Sequence, residues 1–339
     1  MKERDKHPLL GIPSKYNSMS NITNQSNMIQ KFCSIKRNEV TMIGLYKKCN
    51  LCPRKCSIDR TKTLGYCKAT DKVKVARSAL HYFEEPSISG NNGSGTIFFS
   101  NCNLKCCYCQ NKEISTDGFG KEVSIERLSE MMLELEEKHA NNINLVTPTH
   151  YVPSIIEAIK LARKKGLSIP IVYNTSGYEN VETLKLLEGY IDIYLTDFKY
   201  FENNLGKNLS KCPNYFEVTS KALEEMYRQT GKNTFNKDGL MTKGIIVRCL
   251  VLPTKSDDTK KIINYLYKKY QDNIYLSIMN QYTPINKIKE YPFLNKTVSD
   301  KEYNDVINYA LDIGIKNAYM QEGGTCSESF IPAFDLEGV

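Results

Sequence analysis

The 339-residue sequence has no apolar run approaching the roughly 20 residues that a membrane-spanning helix needs. Its start, MKERDKHPLLGIPSKYNSMSN, is basic early on but lacks an apolar stretch, so it does not read as a secretory signal. It also lacks a dense basic block interleaved with aromatics. The formal charge of +8, from 46 Lys+Arg against 38 Asp+Glu, reads as lysine scattered along solvated stretches. No nucleic-acid or membrane partner is argued from such a pattern. Histidine is scarce, with four in the chain. These absences predict a cytoplasmic protein, with length for one catalytic domain plus appendages.

Cysteine is what the sequence does have. Twelve are present, and a reducing cytosol disfavours a disulfide framework, so clustered cysteines read as ligands or catalysts. Eight fall in two groups: Cys49, Cys52, Cys56 and Cys67, then Cys102, Cys106, Cys107 and Cys109. Cys33, Cys212, Cys249 and Cys326 are scattered.

Four regions are expected. Residues 1–40 are expected to form a weakly ordered polar extension with a short helix near Ile29–Cys33. Residues 41–93 form a cysteine-rich metal-binding module with a turn-rich linker, PSISGNNGSG, and are too small for an apolar core of their own. Residues 94–320 form the core domain, and residues 321–339 a tail packing on it. Within the core, short apolar segments alternate with helical ones. Strands are expected at 96–100, 144–147, 169–173, 191–195, 244–252 and 274–278, and a last short one at 317–320. Ser124 should cap one helix, and Ser299 with Glu302 should form a capping box for another. Six strand–helix repeats imply an α/β fold with parallel strands and right-handed crossovers. A doubly wound sheet and a barrel both fit that periodicity. In either one, active residues gather beyond the carboxyl ends of the strands.

The segment after the first strand is NCNLKCCYCQN, with the spacing Cys102-x3-Cys106-x2-Cys109. Such a tight loop can wrap one cubane cluster, and three thiolates leave one iron open to a small chelating molecule. Zinc sites more often use paired knuckles separated by a longer loop. The segment resembles the C-x3-C-x-aromatic-C signature of the radical S-adenosylmethionine (SAM) superfamily, with Tyr108 in the aromatic place. The resemblance implies a partial (β/α)6 barrel and a [4Fe-4S] cluster on Cys102, Cys106 and Cys109. The fourth iron would hold the amino and carboxylate groups of SAM. Cys107 is left outside this set, as a packing residue.

Other strand ends extend the resemblance. The family usually carries a glycine-rich stretch after the second strand; here Thr147, Pro148 and Thr149 stand in its place, where backbone carbonyls could meet the SAM ammonium. His150 follows, either facing substrate or as a capping or packing residue. Asn174, in YNTSGYE, suits ribose or substrate hydrogen bonds, or simply a helix-entry turn. Asp197 and Lys199, in DIYLTDFKY, share a face in extended geometry and resemble the D-x-K motif of glycyl-radical-enzyme activases. Arg248 sits inside an apolar strand and needs a partner, either the SAM carboxylate or a structural acid.

Residues 45–339 as a whole resemble PflX-like proteins, radical SAM relatives of pyruvate formate-lyase activating enzymes, through these segments and through CNLCPRKC, GYC, LVLP, NQYTP and FIPAFDLEGV. The implied activity is reductive cleavage of SAM to a 5′-deoxyadenosyl radical, with activation of a protein partner at glycine as the leading expectation. Radical modification of another peptide or a small molecule, and a non-enzymatic metal scaffold, are the alternatives. The implied partners are an electron donor such as flavodoxin or ferredoxin and a protein or peptide substrate. Cys49, Cys52, Cys56 and Cys67 are candidate ligands for zinc or a second iron–sulfur group; four free thiols are the alternative.

Overall fold

Strands covered on both faces must be apolar throughout, and the short apolar segments of the sequence meet that demand in a computed structural model. It describes residues 42–285, 287–321 and 332–339. The short helix expected near Ile29–Cys33, and Cys326, lie outside the described residues. The strands are β1 (Val73–His81), β2 (Ser94–Phe99), β3 (Lys121–Val123), β4 (Ile143–Val146), β5 (Ile171–Thr175), β6 (Ile193–Asp197), β7 (Thr234–Phe235), β8 (Met241–Leu250), β9 (Tyr275–Met279) and β10 (Ala318–Met320). The main helices are α1 (Ile125–Glu137), α2 (Val152–Lys164), α3 (Val181–Leu186), α4 (Asn203–Ser210), α5 (Tyr215–Thr230), α6 (Ser256–Tyr270) and α7 (Asp300–Asp312).

The sheet order is β10-β9-β8-β6-β5-β4-β2-β1-β3, with β7 paired only to β8. From β2 to β10 the main strands follow chain order and run parallel. A doubly wound sheet reverses its order at a switch point; this one does not. Crossovers of one hand therefore bring the connecting helices to one face. There Leu128 and Met132 of α1, Ile155 and Ile159 of α2, and Ile262 and Leu266 of α6 join Leu145, Tyr173 and Val247 in one buried cluster. Burying each such aliphatic side chain stabilises by about 1.5–3 kcal/mol before entropic costs. The expected caps form: Ser124 Oγ accepts from the Arg127 amide at 3.1 Å, and Ser299 and Glu302 cap each other's backbone.

Three local expectations change. Residues 73–81, assigned to the small cysteine module, form β1, which pairs antiparallel with β2 and makes the sheet mixed. The PSISGNNGSG segment is not all linker: Pro86–Ser89 is a helical turn, and Ser94 already belongs to β2. Two strands begin two residues late, at Ile171 and Ile193. For the first, Pro170 has no N–H to give a ladder.

The cysteine-bearing stretch ahead of β1 has a small apolar cluster of Tyr46, Cys49 and Leu51 and leans on the sheet domain. Tyr46 Oη lies 2.9 Å from Ser154 Oγ of α2. The buried Arg60 donates to the carbonyls of Ala69 (3.1 Å), Thr70 and His150.

Candidate active site

The carboxyl ends of β2, β4, β5, β6, β8 and β9 surround a cavity of about 270 Å³. One wall is the loop after β2. Cys102, Cys106 and Cys109 all line the cavity, whereas Cys107 is exposed and does not. Two backbone bonds to the end of α4 hold the loop: Lys105 N–H to Ser210 O (3.2 Å) and Cys107 N–H to Leu209 O (2.8 Å). Each inward sulfur has a hydrogen-bonding neighbour suited to a thiolate. The Leu104 amide points at Cys102 Sγ (3.4 Å), the Ser210 hydroxyl at Cys106 Sγ (2.9 Å), and the Ser115 hydroxyl lies 3.2 Å from Cys109 Sγ. Burial pushes the Cys102 thiol up to about 12 and the Cys106 thiol to about 11, so as free groups these two are protonated and metal binding must release their protons.

Among the described residues, no three His, Cys, Asp or Glu side chains converge to hold a single metal ion. A cubane makes no such demand, because its thiolates attach to separate irons. The donor set and the cavity beside it therefore fit an iron–sulfur group. Tyr108 lines the same cavity, its hydroxyl against that of Tyr200 and its ring 5.9 Å from that of Tyr282.

The facing wall is charged. Asp197 and Arg248 are register partners on β6 and β8, and Arg248 Nε donates to Asp197 Oδ1 at 2.7 Å. Lys199 Nζ reaches Asp197 Oδ2 at 2.5 Å, and Arg248 Nη2 reaches Asn174 Oδ1 at 2.6 Å. Burial alone would raise the Asp197 carboxyl, but Arg248 and Lys199 outweigh it and hold it below the usual range. Burial likewise opposes the Lys199 charge, and Asp197 and Cys106 reverse that, raising it. Gly177 sits behind this group at φ +77°; a Cβ there would come 2.3 Å from the Asp197 carbonyl, so the turn after β5 needs glycine.

Thr147 also lines the cavity, with φ +59°. A β-branched residue is strained in that region. The backbone thus takes a conformation that glycine adopts freely, at the place where the related signature is glycine-rich. Pro148, Thr149 and His150 do not line the cavity. After β4 the chain turns through a 3-10 segment, Thr149–Tyr151, which carries these side chains away from the mouth. Thr149 Oγ1 donates to Glu179 at 2.5 Å, and His150 Nε2 lies 2.8 Å from the Ser100 carbonyl. Of the two readings of His150, this placement is that of a packing residue.

Burial, followed by the nearby Arg60 charge, lowers the His150 imidazole from 6.5 to about 3. The folded pKa is depressed, so the unfolded chain takes the proton first. The stability carried by this group is present above about pH 6.5 and declines below it, by about 1.4 kcal/mol per pH unit, down to the folded pKa. Histidine-selective NMR should show the His150 ring neutral at pH 5 and protonated on Nε2. A resonance titrating near pH 6.5 would contradict this placement.

Two acids that the sequence reading passed over belong to the site region. Glu84, beyond the end of β1, lines the cavity. Its Oε1 accepts from Asn144 (3.0 Å) and Asn174 (3.3 Å), and its Oε2 is 3.6 Å from Arg248. Burial raises it and Arg248 opposes. Burial brings the adjacent Glu85 to about 7, with Arg248 again opposing. The available signal was two adjacent acids behind an aromatic pair, in HYFEEP, between two apolar strands.

The other four candidate ligands lie away from this cavity. Cys49, Cys52 and Cys67 are buried and Cys56 is half-buried. Cys56 Sγ accepts from the Tyr66 amide at 3.4 Å, and the Arg60 guanidinium lies 4.0 Å from Cys49 Sγ.

Comparison with known proteins agrees with this arrangement. Residues 96–266 match the radical SAM superfamily. An uncharacterized protein of Methanocaldococcus jannaschii is 32% identical over 276 residues, covering 79% of this chain and 75% of that protein. The pyruvate formate-lyase-activating enzyme of Clostridium pasteurianum is 25% identical over 158 residues, covering 43% of this chain and 63% of that enzyme. Among solved structures, Streptococcus suis SuiB bound to precursor peptide SuiA aligns with a TM-score of 0.44 and 13% identity, over 66% of this chain and 47% of that one. The chain thus spans about half the length of that solved relative. With the match covering just over half of the sequence, and with the three cysteines of its signature gathered at one cavity, the chain belongs to the radical SAM superfamily.

Proposed function

We propose that this protein is an iron–sulfur enzyme that cleaves SAM reductively and uses the resulting radical to take a hydrogen atom from a protein partner, with glycine as the leading target. The observation that carries the reading is the cavity itself, with Cys102, Cys106 and Cys109 on one wall and Asn174, Asp197, Lys199 and Arg248 on the other. The core of residues 94–320 is read as a partial (β/α)6 barrel, and residues 41–93 as a second metal-binding module on Cys49, Cys52, Cys56 and Cys67.

Cys102, Cys106 and Cys109 would hold a [4Fe-4S] group. When bound, it supplies the electron that breaks a carbon–sulfur bond of SAM and releases the 5′-deoxyadenosyl radical. The protein residues bind and orient. Lys199 and Arg248 offer cationic donors to the SAM carboxylate. The backbone at Thr147 offers carbonyl oxygens to its ammonium, and Asn174 an amide to ribose hydroxyls. Asp197 holds Lys199 and Arg248 in place. Tyr108, Phe98 and Met279 give the cavity an apolar lining, which shields a radical from competing bonds and water. Glycine activation is supported by the likeness of Asp197 and Lys199 to the D-x-K motif, and by the activating enzyme among the relatives.

Anaerobic reconstitution should load iron, and dithionite with SAM should then yield 5′-deoxyadenosine, read by chromatography. A glycyl-radical enzyme presented as substrate should acquire a stable organic radical signal in electron paramagnetic resonance. Iron-loaded protein that makes no 5′-deoxyadenosine with any strong reductant would sink the proposal.

A further inference from the structure

The lysine excess is not scattered evenly. Between Lys47 and Lys74, nine Lys or Arg stand against two Asp, a net +7 in 28 residues beside +8 for the whole chain. Lys47, Lys48, Lys55, Lys62, Lys68 and Lys72 are all exposed. Among the described residues, only Lys62 of these six has an ion pair, a 3.8 Å contact with Asp59. Leu64 and Tyr66, 55% and 36% exposed, stand between Lys62 and Lys68 in the chain. The Cys56 sulfur accepts the Tyr66 amide and so brings Lys55 alongside. An exposed apolar pair carried on a stretch of exposed and mostly unpaired like charges suits a docking surface for an oppositely charged protein.

This surface backs directly onto the cysteine loop. The Arg54 guanidinium stacks 3.9 Å from the Tyr66 ring, and its Nε donates at 2.9 Å to the carbonyl of Asn103, between Cys102 and Cys106. Lys105, in the same loop, has its ammonium 6.0 Å from the Tyr66 ring. From the exposed face at Tyr66 to the loop that bears the cysteines there is one layer of side chains. Electron tunnelling weakens steeply with distance, so a carrier seated here would be on a short path, and neither Arg54 nor Tyr66 lines the cavity.

We infer that the basic face around Leu64 and Tyr66 is the docking site of a small acidic one-electron carrier protein. This rests on the proposed function, because only a reductive enzyme needs such a donor. The carrier gives up one electron and the cysteine-held centre accepts it; no proton or group is transferred. Complementary charge acts mainly by speeding encounter, so both association and its salt dependence belong to this face.

The test uses the full reconstituted chain and flavodoxin as the probe. Binding of oxidised flavodoxin, followed by calorimetry at low and high salt, needs no catalysis. The Lys55→Glu/Lys62→Glu/Lys68→Glu variant should bind about tenfold or more weakly and lose most of the salt dependence. A control of equal charge change, Lys164→Glu/Lys165→Glu/Lys268→Glu, should stay within about twofold. Reduction of the centre by reduced flavodoxin should slow in the first variant only, while dithionite reduces all three proteins alike. Equal losses in both variants, or a short RNA binding the face more tightly than flavodoxin, would overturn the inference. Wild-type protein that binds flavodoxin in this charge-dependent way but never cleaves SAM would leave the docking site standing and remove the proposed activity.

Discussion

Changing Cys102, Cys106 or Cys109 to alanine should abolish 5′-deoxyadenosine formation after anaerobic reconstitution, whereas Cys107→Ala should keep a substantial rate. The reason is geometric and stoichiometric. The three inward sulfurs face the cavity and each has a hydrogen-bonding neighbour; Cys107 faces solvent, tied down only through its backbone to Leu209. A cluster held by three thiolates keeps one iron open for the amino and carboxylate groups of SAM, and a fourth thiolate would close it. The expected loss is to background, far beyond tenfold. Iron and zinc analysis should accompany the assay. Protein lacking all three inward cysteines should retain metal on Cys49, Cys52, Cys56 and Cys67; folded protein of this kind without metal would count against the second site. Robust product from Cys106→Ala, or a Cys107→Ala protein that assembles no cluster, would overturn the ligand assignment.

Arg248→Met should cost about 3–5 kcal/mol of unfolding free energy, because removing one partner of a largely buried ion pair leaves the others uncompensated. Arg248 is bound on three sides, by Asp197, Asn174 and Glu84. Without it, among the described residues, the Asp197 carboxylate keeps only Lys199, and the Glu84 carboxylate keeps only two neutral amides. The sign of the pH dependence follows. Burial already raises Glu84 and Glu85 above their unfolded values, and Arg248 is what opposes that rise in both. In the variant both should move higher. Groups with a raised folded pKa stabilise fully below the unfolded value and lose that contribution as pH rises through the folded one. The deficit should therefore be larger at pH 8 than at pH 5.5, and adding Glu84→Gln should recover part of it at pH 8. Denaturant unfolding at the two pH values is sufficient. A variant within about 1 kcal/mol of wild type at both would show that the arginine is not the counter-charge of this wall.

The sequence by itself determined the alternation of strands and helices, because parallel strands covered on both faces must be apolar and helix starts need caps such as Ser124 and Ser299. It also picked out the cysteine loop, through a spacing that lies within eight residues, and marked Asp197 and Lys199 as polar residues after an apolar strand and Arg248 as a charge inside one. Only the tertiary structure decided which of these meet. Asp197 and Arg248 are 51 positions apart and touch because β6 and β8 are register neighbours. Glu84 joins them from β1, a strand hidden inside what looked like a small module, because β1 pairs with β2 and delivers its end to the cavity. His150 leaves the site because a 3-10 turn after β4 breaks the alternation that a strand would have continued. Tyr66 meets the cysteine loop through Arg54, which stacks on its ring and donates to the Asn103 carbonyl, a contact between residues that no local pattern links. Local periodicity and spacing act over a few residues and can be read in order, whereas a site assembled from strand ends depends on register and crossover, which only the folded sheet sets.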